Sequence, residues 1–180
     1  MDGMRCSAQL KPSWRRANRR ASLPSDMNEP WASAAAVAHA ATVVRSFRHW
    51  LGRDLLLGIS QPRELAAALF AAPFVLVSHD TQADPVLNYG NAAALTLWEM
   101  SWAELTGTPS RLTAEPIARE ERARLLAQVT RHGHIADYAG VRIAKSGRRF
   151  RIAQARVWNL RDEAGAHCGQ AAMFDHWEYL

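Results

Sequence analysis

The stretch from Tyr138 to Phe174 constrains the fold more than any other part of the chain. It reads as three strands in succession. Tyr138 to Lys145 alternates through Val141 and Ile143, and Ser146-Gly147 makes a turn. Arg148 to Leu160 runs back through Phe150, Ile152, Val157 and Trp158; Asp162 to Gly165 turns again, and His167 to Phe174 completes a meander. Two more strands are predicted upstream. Phe74 to Val77 is a short apolar run after Pro73, and Val86 to Tyr89 follows it at hairpin distance.

Helical patterns fill the remainder. Pro30-Trp31 opens a long one in which Val37, Ala40, Ala41, Val44, Phe47 and Leu51 form an apolar stripe, ended by Gly52 or Gly58. Ser60-Gln61-Pro62 starts a second, running to about Ala71. Asn91 is placed to cap a helix from Ala92 to Met100, and Ser101 with Glu104 reads as a capping box on a further turn. Thr113 to Arg131 is the clearest helix, with Ile117, Leu125, Leu126 and Val129 on its apolar side and Gly133 as its stop. The order predicts an α+β, PAS-like domain: a five-stranded antiparallel sheet with helices on one face, preceded by an N-terminal helical extension over residues 30–71.

Charge separates a leader from this domain. The sequence has 22 Lys plus Arg and 17 Asp plus Glu, a formal net charge of +5. Arg5, Lys11, Arg15, Arg16, Arg19 and Arg20 stand against Asp2 and Asp26, so four of the five net charges lie before Met27. Residues 1–28 lack apolar periodicity and are expected to form a basic, disordered leader. Its three readings are a nucleic-acid arm using Trp14, a transit peptide, and a plain solvated tail or upstream sequence ahead of a true start at Met27. Nucleic acid is not an expected partner of the domain itself. No apolar stretch suits a signal peptide or a bilayer span, and Cys6 and Cys168 cannot make a disulfide framework, so a cytoplasmic protein without a membrane partner is expected.

Several strings in the folded part resemble the MEKHLA domain family. They are Leu97-Trp98-Glu99-Met100-Ser101-Trp102, Leu105-Thr106-Gly107, Pro109 to Pro116, Gly147 to Ile152, Val157-Trp158-Asn159-Leu160 and Gly169-Gln170-Ala171-Ala172. The resemblance covers about residues 29–180. Plant members of the family end class III homeodomain–leucine zipper transcription factors, and bacterial members look free-standing. This chain has neither homeodomain nor heptad zipper, so a DNA-binding role does not carry over. The family is related to PAS domains. That kinship implies sensing of light, oxygen or redox state and signalling through protein contacts, with fold analogy as its only warrant.

Cofactors and sites follow from the same kinship. A flavin photosensor would carry an Asn-Cys pair where this chain has Asn91-Ala92, so no photoactive cysteine is expected. A haem would need an axial histidine; His79, His132, His134, His167 and His176 are the candidates, and none stands in a ligand motif. No metal site is expected, because no third ligand joins His132 and His134 at zinc-site spacing. Cys168 is a redox candidate if Arg151 or Arg156 on the neighbouring strand lowers its pKa, and otherwise a core residue.

Strict alternation would put Phe150, Ile152, Gln154, Arg156 and Trp158 on one face, with Gln154 and Arg156 anchoring a small-molecule ligand and Tyr138 and Gln170 joining from flanking strands. A bulge near Ala153 would instead turn Ala155 and Val157 inward and Arg156 outward. No catalytic motif appears, which favours a binding domain over an enzyme. An empty pocket and a homodimer or protein contact through the Trp31–Leu51 stripe form the competing interaction-module reading. A small enzyme of unrecognised type is the third.

Overall fold

A computed structural model describes residues 29–114 and 119–180, with the side chains of Arg119, Glu121 and Arg122 left out. The basic leader and Ile117 therefore lie outside the described residues.

A 3-10 turn at Pro30–Ala32 precedes α1 (Ala34–Leu51), whose first turn is closed by Ser33 Oγ accepting from Ala36 N, and Gly52 ends it. Helix α2 (Pro62–Phe70) begins on its proline as predicted. Strands β1 (Val75–His79) and β2 (Leu87–Gly90) form the first hairpin. Then come α3 (Ala92–Trp98), the capping-box turn α4 (Trp102–Leu105) and α5 (Arg119–His132). The meander is β3 (His134–Ile143), β4 (Arg149–Arg161) and β5 (His167–Phe174), and a short β6 (His176–Tyr179) follows. All pairings are antiparallel, in the order β2-β1-β5-β4-β3, with β6 added beside the start of β4 through Phe150↔Tyr179 and Ile152↔Trp177.

Five of these strands match the expected sheet, and β6 is an addition. Its alternation His176-Trp177-Glu178-Tyr179 is exposed on both faces, so no buried face marks it in the sequence.

The helices occupy both faces of the sheet. Helices α3 and α5 lie over the face carrying Val75, Ile152, Ala155 and Phe174, as the expected one-sided arrangement requires. The N-terminal helices pack on the opposite face. There Ala40, Val43 and Phe47 of α1 and Leu69 of α2 enclose Leu76, Trp158, Leu160 and Ala171. Phe47 meets Trp158 edge to face at 5.0 Å, a geometry worth about 1 kcal/mol beyond area burial. The stripe expected to reach a partner is thus spent inside the chain. Its centre also lies slightly off the expected line, with Ala36 and Val43 buried where Val37 and Val44 are only partly so.

Polar bonds lock α1 in place as well. Arg161 N donates to Ser46 Oγ at 2.9 Å, and Trp50 Nε1 donates to Asn159 O at 2.9 Å.

Asn91 joins the first hairpin to the helical side. It is fully buried, and its Oδ1 accepts from Ala94 N at 3.1 Å, which caps α3, and from Leu76 N at 3.0 Å. Its Nδ2 donates to Phe74 O at 2.6 Å. One side chain thus satisfies a helix end and a strand break together.

Candidate ligand-binding site

The inner face of the sheet and the helices above it enclose a cavity of about 50 Å³. Its floor is Val77, Tyr138, Ile152, Ala155 and Ala172, and its roof is Trp98 of α3 with Leu125 and Leu126 of α5. Alanines at 155 and 172 leave the space that a larger residue would fill. Polar groups reach it from three sides: Arg142 and Tyr138 on β3, Gln170 on β5, and His79 on β1.

Two compensating bulges set which residues face inward. Gly140 pairs Ile152 while Tyr138 pairs Ala155, so β4 holds one extra residue around Ala153-Gln154, and Gln154 takes φ +54°. Tyr138 pairs Ala155 while Ile135 pairs Val157, so β3 holds an extra residue in turn, with Asp137 at φ +60°. The register with a bulge near Ala153 is therefore the one adopted. Ala155 and Val157 face the cavity, and Gln154 is exposed. Arg156 lies on the other face, its Nη1 at 3.9 Å from Met173 Sδ. Neither Gln154 nor Arg156 anchors anything in the cavity.

The remaining expected residues fall as follows. Tyr138, Ile152 and Gln170 line the cavity, and Phe150 is buried just behind it against Trp98 at 5.4 Å. Sequence reasoning missed Arg142. Val141 and Ile143 looked like the buried side of β3, whereas Tyr138, Arg142 and Ala144 are the residues turned toward the core. The available signal was the alternation Tyr138, Gly140, Arg142, Ala144, hidden because a charged residue occupies its middle.

The amide orientations around Gln170 follow from its neighbours. Asn159 Nδ2 donates to the carbonyls of Val129 at 2.9 Å and Thr130 at 3.3 Å, so Asn159 Oδ1 points the other way. That oxygen accepts from Gln170 Nε2 at 3.0 Å, and Nε2 also reaches Leu126 O at 3.1 Å. Gln170 Oε1 is left buried without a donor among the described residues. This network supplies a donor to Thr130 O at the C-terminal end of α5, adds one to Val129 O, and ties the turn that carries Leu125 and Leu126 to the sheet below.

Arg142 is 7% exposed, and no carboxylate lies within ion-pair distance of it among the described residues. Its Nη1 donates to Val141 O at 2.8 Å and its Nη2 to Tyr138 Oη at 3.0 Å. The guanidinium also sits 5.2 Å from the Tyr138 ring centroid. Trp98 Nε1 is buried with no acceptor among the described residues.

Neither a flavin nor a haem, the two cofactors weighed from the sequence, fits this cavity. Sites for drug-sized and cofactor-sized molecules span about 300 Å³ or more, against about 50 Å³ here. His79 is the one haem-ligand candidate among the cavity-lining residues, and its Nδ1 is held by Asp80 O at 2.8 Å. His132, His167 and His176 are exposed, and His134 contacts Trp50 at 6.4 Å. No group of three metal-ligating side chains occurs among the described residues.

Cys168 is half-buried beside the α1 face. Burial and the nearby Asp162 push its thiol up, against a weaker opposing effect of Arg45. The expected help from Arg151 or Arg156 is absent.

A twisted antiparallel sheet with a small ligand-sized cavity under one helical face is the architecture of a PAS-type domain. The MEKHLA domain model matches residues 37–179, and the chain belongs to that family. Among solved structures, the PAS domain of a protein from Colwellia psychrerythraea aligns with a TM-score of 0.56 at 17% identity, over 66% of this chain and 95% of that one. An RNA-binding light-oxygen-voltage receptor gives 0.56 at 19% identity over 68% of this chain, which spans 35% of the receptor. The light-state dimer of the fungal blue-light photoreceptor Vivid gives 0.50 at 18% identity, over 72% of this chain and 88% of that one. Identities this low bear on the fold alone. No curated protein matches the sequence. No helix among the described residues is long and apolar enough to cross a membrane.

Proposed function

We propose that this domain is a sensory module that binds a small, uncoloured molecule in the inner cavity and acts through protein contacts rather than catalysis. The supporting observation is the convergence of Arg142, Tyr138, Gln170 and His79 on a buried cavity too small for a flavin or haem. Among the described residues, Arg142 keeps N–H groups beyond its two neutral acceptors, and a core without a ligand would seldom bury such a donor unspent. PAS kinship supplies the sensory reading by analogy. Helix α5 is the natural responding element, because it forms the roof and carries no other buried side chain than Val129 among those described.

The test uses the full chain, dialysed, with a panel of neutral and charged compounds of up to six heavy atoms at matched ionic strength. At least one should raise the melting temperature and slow amide exchange in α5 while leaving α1 unchanged. Ala155→Leu should abolish the response by filling the cavity. No response from any compound, or one that survives Ala155→Leu, overturns the reading. So does a flavin or Soret band in freshly purified protein.

A further inference from the structure

We infer that the Arg142 end of the cavity is an oxyanion site, built for a small planar carboxylate or inorganic oxyanion of about three to five heavy atoms. The inference rests on the proposed ligand-binding role of the same cavity and specifies its ligand.

Charge comes first. A buried guanidinium is strongly disfavoured unless an anion or a full set of acceptors meets it. Arg142 has five N–H groups and, among the described residues, spends two of them, both on neutral oxygens. The carbonyl of Val141 and the hydroxyl of Tyr138 hold the group in place without neutralising it.

The neighbouring polar atoms are donors too. Tyr138 Oη accepts from Arg142, so its own hydrogen is free to point elsewhere. Trp98 Nε1 can only donate, and on a residue 3% exposed it is buried without an acceptor among the described residues. Trp98 packs on Phe150, and Phe150 pairs with Arg142 across β3 and β4, which brings the indole to the same end of the cavity. Among the described residues these three kinds of donor meet no carboxylate, and a planar fork of N–H groups matches a planar pair of oxygens. The unspent acceptor Gln170 Oε1 also lines the cavity but comes from β5, two strands away from Arg142.

Size narrows the class. One water needs about 10–15 Å³ by this measure, so about 50 Å³ holds a few water-sized groups. Formate, acetate, nitrate and hydrogencarbonate are of that size. Nucleotides, dicarboxylates with long spacers and sugar phosphates are not.

The experiment measures melting temperatures of the full chain with sodium formate, acetate, nitrate and hydrogencarbonate, against acetamide and ethanol as neutral compounds of similar size. Chloride keeps ionic strength constant. At least one anion should raise the melting temperature in a saturable way, and the neutral compounds should not. Losing a hydrogen bond to a charged group weakens binding by about 10- to 100-fold, so Arg142→Met should remove the shift in the accessible range. Tyr138→Phe and Trp98→Phe should each weaken it while keeping the ring packing. If Arg142→Met does not fold, Arg142→Lys and Tyr138→Phe carry the test. Equal stabilisation by acetamide and acetate, or an anion shift unchanged in Tyr138→Phe and Arg142→Lys, overturns the oxyanion site and leaves the ligand-binding role standing. Silence from all four anions likewise overturns the oxyanion site, while the ligand-binding role falls only if the wider panel is silent too.

Discussion

Acidifying the solution from pH 7 to pH 5 should destabilise the protein through His39. This histidine on α1 is mostly enclosed between the helix and the sheet. Its Nε2 lies 2.8 Å from Ser78 Oγ, and its ring stacks on Tyr89 at 5.7 Å. Ser78 Oγ donates to Asn88 Oδ1 at 2.7 Å, so the imidazole Nε2–H is the donor to Ser78. Burial with no compensating carboxylate lowers its pKa from 6.5 to about 4. The unfolded chain therefore takes up a proton below pH 6.5 that the folded chain refuses until about pH 4. Stability is complete above 6.5, falls between 6.5 and 4, and is flat below that. Each pH unit in that window costs about 1.4 kcal/mol, so at pH 5 the loss is about 2 kcal/mol. His167, whose pKa is also lowered by burial, adds a loss of the same sign. Urea unfolding of the natural protein and of His39→Gln at both pH values isolates the His39 contribution, because every other titration cancels in the difference. The natural protein should lose about 2 kcal/mol more than the variant. Equal losses would show that His39 is solvated or already charged in the folded state.

Three further outcomes follow from the packing. Asn91→Ala should cost about 2–4 kcal/mol in urea unfolding, because it strips acceptors from Ala94 N and Leu76 N and a donor from Phe74 O in a fully buried site. Phe47→Ala should cost about 3–5 kcal/mol and leave the oligomeric state unchanged, since its ring packs on Trp158 of the same chain; a stability loss that depended on protein concentration would contradict this. Gln154→Gly should stabilise by up to about 1 kcal/mol, because an exposed residue at φ +54° is relieved of left-handed strain, whereas Gln154→Val should destabilise.

The meander was legible in the sequence because each of its strands alternates and each turn carries a glycine or a polar cluster. The N-terminal helix was legible for the same kind of reason, but not its destination. A stripe of Ala40, Phe47 and Leu51 shows that a face is buried without showing whether a sheet or a second molecule buries it. The cavity was half legible. Tyr138, Ile152 and Gln170 follow from simple alternation, yet Gln154 and Arg156 were exchanged for Ala155 and Val157 by a bulge whose left-handed residue is a glutamine. A glycine there would have announced the bulge. Arg142 was hidden by its charge, since alternation rules assign arginine to solvent unless a ligand or a partner is already known.

Asn159 shows how that cavity is tied to the rest of the fold. Its backbone carbonyl accepts from Trp50 of α1, its Oδ1 accepts from cavity-lining Gln170, and its Nδ2 donates to the last turn of α5. One residue near the end of β4 therefore touches the outer helix, the cavity wall and the cavity roof. Removing its side chain separates these roles, because the backbone bond to Trp50 stays. Asn159→Ala should leave α1 exchange unchanged and speed exchange at the C-terminal end of α5, where the Thr130 carbonyl loses its side-chain donor and Val129 O keeps only Gly133 N, at a cost of about 1–3 kcal/mol. If α1 loosens equally, the two faces of the sheet open as one unit, and a signal leaving the cavity through α5 would have to move α1 as well.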